Sequence, residues 1–147
     1  MKSMLRDLLV SLAFLVPWPA LASDCPDMSA YFPGNDPDWG QLLVQLNEQF
    51  DRCLESSEYF ALLGAAELNS GNLSRAIESL ERALLLNPEN GAAMIDYAQA
   101  LQEDGQLFAA LEINTILQER NDVPENLRAQ LAERQDLWQG LTRRTRW

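Results

Sequence analysis

The residues able to do chemistry in this 147-residue chain are two cysteines, Cys25 and Cys53, and 22 acids. What is missing narrows their use. There is no histidine, and the single lysine is Lys2. The commonest general base, the commonest zinc ligand and any Schiff-base lysine are therefore absent from the body of the chain. A carboxylate-only glycosidase would need two acids roughly 5–10 Å apart across a cleft. Glu78 and Glu81 are neighbours on one predicted helix, but acids at that spacing are common on a solvated face, and no pair stands out from the acidic background. Asp24, Asp27, Asp36 and Asp38 lack the alternating loop and the bidentate glutamate of a calcium site. The expectation is a non-enzymatic chain with no catalytic residue, no metal and no cofactor.

How the cysteines are read depends on where the chain goes. Residues 1–22 have the layout of a secretory signal: basic Lys2 and Arg6, an apolar run from Leu8 to Val16, and an A-x-A cleavage site at Ala20-Leu21-Ala22. Pro17 and Pro19 interrupt that run before the roughly 20 residues needed to span a bilayer. An uncleaved anchor is the second reading. Lipidation of Cys25 is disfavoured, because Asp24 stands where a bacterial lipoprotein signal needs a small residue. The leader is bacterial in look, which places the chain in the periplasm after cleavage at Ala22. In that oxidising compartment Cys25 and Cys53 most simply form a disulfide. It would tie an irregular lead-in to the first helix, a constraint worth roughly 3–4 kcal/mol in the chain-entropy model. A redox pair or intermolecular bonds are the alternatives; the wide spacing, with no C-x-x-C, speaks against the redox version.

Net charge is −11 and unevenly spread. Residues 24–125 hold 19 acids and four arginines, whereas residues 126–147 hold two acids and five arginines. An acidic body repels nucleic acid, so a DNA or RNA partner is not expected. The same charge keeps a protein soluble.

The elements that must position these groups follow from pattern. Residues 23–38 are rich in proline, aspartate and asparagine and read as an extended or looping lead-in. Asp38 can cap a helix over 39–56, whose apolar residues Trp39, Leu42, Leu43, Leu46, Phe50 and Leu54 recur at helical period, with Cys53 on or beside that face. One unit then occurs twice, over about 57–90 and 91–124. Gly71 and Gly105 are 34 residues apart, as are Ala76 and Ala110. Each half of a unit is amphipathic. Gly71 suits a left-handed helix end, Asn72 can cap the next helix, and Pro88 stops it. A last helix over 125–141 carries Leu127, Leu131, Leu137, Trp138 and Leu141 on one side. Its polar residues Arg128, Gln130, Glu133, Arg134 and Gln135 suit a capping role, and a basic tail occupies 142–147.

A 34-residue period of paired helices is the mark of a helical solenoid. The first unit resembles the tetratricopeptide repeat family. Phe60, Leu63, Gly64, Gly71, Ala76, Leu80, Ala83 and Pro88 stand where that pattern has an aromatic, Leu, Gly or Ala, Gly, Ala, a bulky apolar residue, Ala and Pro. The second unit fits at Ala98, Gly105 and Ala110, with Met94 and Tyr97 as apolar substitutes. It departs where Asn114 replaces a bulky apolar residue, Leu117 replaces Ala, and the closing Pro124 comes two residues late. The resemblance implies an all-α, right-handed helical solenoid of two helix-turn-helix repeats, flanked by an N-terminal helix and a C-terminal capping helix.

It also implies a binding groove lined by the first helix of each repeat. The matching positions are Glu58, Ala61, Leu62, Ala65, Leu68 and Asn69, then Ala92, Ile95, Asp96, Gln99, Gln102 and Glu103. Such a groove is apolar at one end and acidic or amide-rich at the other, and suits another protein or a peptide segment. The lysines, arginine and asparagines by which one subclass clamps a peptide's terminal carboxylate have almost no counterpart here. The run NDVPENLRAQLAERQDLWQGLTRRTRW resembles the junction at which periplasmic tetratricopeptide repeats precede an outer-membrane β-barrel, as in surface lipoprotein assembly modifiers. No stretch after Leu141 has the alternation of a barrel strand. The resemblances thus imply a non-catalytic periplasmic interaction module. The alternative is an accessory domain of an outer-membrane β-barrel export or assembly protein whose barrel is missing from this chain, with Arg143, Arg144, Arg146 and Trp147 near the membrane interface.

Overall fold

The computed structural model describes residues 25–31 and 37–144. The leader expected over 1–22, together with Asp24, Asp36, Arg146 and Trp147, lies outside those residues. The described chain is all-helical. A 3-10 turn at Met28–Tyr31 is followed by α1 (Trp39–Gln49), a 3-10 turn at Phe50–Arg52, α2 (Ser57–Asn69), α3 (Leu73–Leu86), α4 (Gly91–Glu103), α5 (Leu107–Glu119) and α6 (Glu125–Arg144). Each helix packs on the next, and α2 also packs on α4, the stacking of a helical solenoid. None of these helices is long and apolar enough to cross a membrane.

The repeat shows first in the turns. Gly71 and Gly105 have φ of 79° and 83°, where a side chain is strained and glycine is not. Asn72 N donates to Glu67 O at 2.8 Å, and Gln106 N donates to Leu101 O at 2.8 Å. With Gly71 N to Leu68 O and Gly105 N to Gln102 O, both turns satisfy the free carbonyls of a helix end in the same way. Asp38, Ser56 and Asn90 cap α1, α2 and α4 by accepting from Gln41 N, Tyr59 N and Ala93 N. Asn72 precedes α3 but makes no side-chain cap bond, so the cap expected there is positional only.

In the first repeat the contact is close and apolar. A Cβ on Gly64 would lie 2.5 Å from Leu80 Cγ and 3.2 Å from Ala76 O, so only glycine lets α2 and α3 approach this far. Leu80, Ala76 and Ala83 are fully buried beneath it. Tyr59, also fully buried, donates its hydroxyl to Leu46 O at 2.9 Å and pins α2 to α1.

Two helix ends differ from the sequence expectation. The helix expected over 39–56 ends at Gln49. Cys53 is fully buried in a disulfide with Cys25, Cα atoms 4.8 Å apart, and Ser56 takes extended geometry to cap α2; the chain must leave the helix to do both. Phe50 and Leu54, expected on the buried face of α1, are exposed instead. The lead-in, expected to be extended or looping, contains the Met28–Tyr31 turn. Finally, α6 runs past Leu141 to Arg144, its basic last turn suited to the negative end of the helix dipole. Leu137 on that helix, expected in the core, is exposed.

Candidate binding groove

Because α2 lies between α1, α3 and α4, it is buried almost throughout. Its concave-side residues therefore form a floor rather than projecting contacts. Ala61 and Leu62 are buried, while Glu58 on the same helix is exposed. On α4, Ala92, Asp96 and Gln99 recur at i, i+4 and i+7, so they share one stripe.

The structure sorts the expected groove residues into two clefts. The first, of about 240 Å³, is bounded by Glu58, Ala61, Leu62 and Ala65 of α2, by Ala92 and Asp96 of α4, and by Asn90 at the α4 cap. Its remaining wall comes from the lead-in: Asp27, Met28 and Ser29. Met28 is buried against the core, and the Cys25–Cys53 bond holds its segment in place. The second cleft, of about 310 Å³, lies between Gln99 and Gln102 of α4 and Gln130, Glu133, Arg134, Leu137 and Trp138 of α6.

Four expected residues border neither cleft. Leu68 is buried in the first core cluster. Ile95 packs inward against the cluster of Met94, Leu117, Val123 and Leu131. Asn69 is exposed and donates to Ala65 O at 2.8 Å. Glu103, also exposed, accepts from Gln99 Nε2 at 3.0 Å. Leu68 is thus a buried packing residue, whereas Ile95 is only partly buried. Position in the pattern gives the side of the helix, but not what the neighbouring helices already cover.

The sequence did not single out the lead-in wall. The available signal was the disulfide itself: a cysteine tied to the start of α2 brings its neighbours Asp27 and Met28 to the same place. Nor did it show that Arg134 and Gln135 of α6 turn inward. Asn114 on α5 is fully buried and uses all its hydrogen-bonding capacity there. Its amide donates to Leu131 O at 2.9 Å and Gln135 Oε1 at 2.7 Å. Its oxygen accepts from Arg134 Nε at 3.1 Å and Nη2 at 3.0 Å. The Arg134 guanidinium also lies 4.9 Å from the centre of the Trp138 ring. A capping role on the outer face does not describe these side chains; they join α6 to α5.

The electrostatics centre on Asp96. Burial pushes its carboxyl up to about 6, against the opposing pull of Arg134. Burial likewise lowers Arg134 from the usual arginine range, with Asp96 opposing. Asp27 is held below the usual carboxylate range by hydrogen bonds from Ser29. Elsewhere, Glu67 is buried and raised by desolvation, with Ser79 Oγ donating to it at 2.6 Å. Of the acids weighed above as a hydrolytic pair, Glu81 accepts from the Tyr97 hydroxyl at 2.8 Å, and Glu78 lines a separate surface depression beside Arg75 and Glu67. The two do not face each other across a cleft. What this arrangement can do is hold a ligand by shape and charge.

A family model for the tetratricopeptide repeat matches residues 67–133, from the end of α2 into α6. Such repeats are in general non-catalytic and mediate contacts between proteins. No curated protein matches the chain.

Proposed function

We propose that this chain is a non-catalytic interaction module that holds a segment of another polypeptide on the concave side of α2 and α4, and that it works in the periplasm. The observation that carries the reading is the cleft between α2, α4 and the lead-in. It is walled on three sides, has an apolar floor, and stands on the helices that the repeat pattern assigns to recognition. A rigid preformed surface lowers the ordering cost of association. The disulfide supports an oxidising compartment, since such bonds persist where thiols are not kept reduced. The signal-like run over 1–22 supports the same address. Placement beside an outer-membrane barrel rests on the resemblance of the α6 run alone.

The test is site-specific photo-crosslinking in intact cells. The reactive amino acid belongs at Glu58 and Ala92, which are exposed at the cleft, and at Glu112, exposed on α5, as the control. Adducts to a polypeptide from the first two positions and not from the third are expected. Adducts from Glu112 alone, or from none of the three, would overturn the reading.

A further inference from the structure

Building on the binding reading above, we propose that the cleft between the lead-in, α2 and α4 selects a positively charged side chain, an arginine or lysine, on a polypeptide segment whose neighbouring residues are small and apolar. Charge is the first ground. Asp27, Glu58 and Asp96 reach the cleft from three different elements, and no arginine among the described residues lines it. None of the three takes part in an ion pair among the described residues. The cation that pulls on Asp96 is Arg134, and its guanidinium is already committed to Asn114 Oδ1 and the face of Trp138.

The second ground is an unmet need. Neighbouring buried polar groups are satisfied: Ser57 donates to Ala83 O at 2.9 Å and accepts from Asn90 Nδ2 at 2.8 Å. Asp96 is half-buried, yet it has no hydrogen bond among the described residues. A carboxylate partly withdrawn from water without a partner is unfavourable, which is why burial moves its pKa upward. A cation in the cleft would supply that partner where water is partly excluded and a charge-assisted bond is strong.

The third ground is shape. At about 240 Å³ the cleft lies below the roughly 300–1,000 Å³ of ordinary small-molecule sites. Ala61, Leu62 and Ala65 give an apolar floor for the aliphatic stem of an arginine or lysine, with the acids around its charged head. Met28 narrows the cleft from the lead-in side, which favours small apolar residues on either side of the cation over bulky ones.

The test uses the full, oxidised chain and short fluorescein-labelled peptides that alternate alanine with arginine, glutamine or glutamate, read by anisotropy and by backbone amide NMR shifts. The arginine peptide is expected to bind at least about tenfold more tightly than the glutamine peptide, equivalent to about 1.4 kcal/mol, with shifts centred on Ala61, Ala65, Ala92 and Asp96. Asp96→Asn and Glu58→Gln should each weaken it severalfold or more. Glu112→Gln, which removes an equal charge from exposed α5, should change it less than about twofold. Equal losses in all three variants would reduce the effect to general attraction by an acidic protein and overturn the proposal. Glutamine peptide binding equally well in the cleft would overturn the charge selection and leave the interaction module standing. Absence of cleft shifts with every peptide, together with failed crosslinking, would remove both. Self-association abolished by Arg143→Glu with Arg144→Glu would assign the cleft to a second copy of this chain and overturn the proposal.

Discussion

The two repeats use the same position in opposite ways. Leu80 in the first and Asn114 in the second are 34 residues apart and both fully buried. Leu80 packs against bare Gly64 and makes an apolar joint between α2 and α3. Asn114 stands opposite a helix that has Ala98 at the matching place, and instead of filling space it binds α6 through four hydrogen bonds. The concave sides differ in parallel. Beside the first repeat the surface is closed in by the protein's own disulfide-held lead-in; beyond the second it opens toward α6 and is lined by three glutamines together with Glu133, Arg134, Leu137 and Trp138. A repeat position therefore fixes the location of a side chain, and its chemistry is set by whichever element must be held next.

Removing the staple tests that contrast most severely. Cys25→Ser with Cys53→Ser is expected to lower stability by about 3 kcal/mol, measured by urea denaturation at fixed pH. It should also raise hydrogen exchange in the lead-in and at the start of α2 while leaving α5 and α6 unchanged. An equal rise across α5 and α6 would mean that the two ends are not independently secured.

Asn114→Leu would make the second repeat resemble the first. A loss of about 2–3 kcal/mol is expected, because the half-buried Arg134 guanidinium and Gln135 Oε1 lose their hydrogen bonds to Asn114. A neutral or stabilising result would show that packing alone secures α6, and the contrast with Leu80 would disappear. Gly64→Ala should cost about 1–3 kcal/mol through overpacking. Combining it with Leu80→Ala should recover part of the loss relative to the sum of the single changes, as expected for residues in contact. Strict additivity would contradict the close approach.

The smallest effect concerns Asp96. Its carboxyl binds a proton more tightly folded than unfolded, with the pKa raised from 3.8 to about 6. The associated stability is fully present below the unfolded value and is lost as pH rises through the folded one, so Asp96 weakens the fold near neutrality. Asp96→Asn should therefore raise the melting temperature by a few degrees at neutral pH and by nothing at acid pH below the unfolded value. Glu67 is raised in the same sense, so wild type and variant are compared in the same buffer. A gain that persists at acid pH would point to packing rather than charge.

Much of this molecule was legible before folding. Gly71 and Gly105 marked the turns because a left-handed backbone is written in one residue. Pro88 marked a helix end for an equally local reason, and Ala76, Ala83 and Ala110 stood at alanine positions of the repeat pattern. The cysteines pointed to their own bond once export was assumed. The end of α1 was misplaced because periodic residues such as Phe50 and Leu54 look the same whether or not a disulfide at Cys53 forces the chain to turn.

The period, the helix order and the turn glycines were thus determined by the sequence itself, since each depends on backbone preferences acting over a few neighbours. Only the tertiary structure decided that Met28 walls the groove, that Leu68 is covered, and that Asp96 is left without a hydrogen-bond partner among the described residues. Those outcomes depend on which distant segments arrive at one place and exclude water there, and desolvation is a property of that assembled surface rather than of any residue within it.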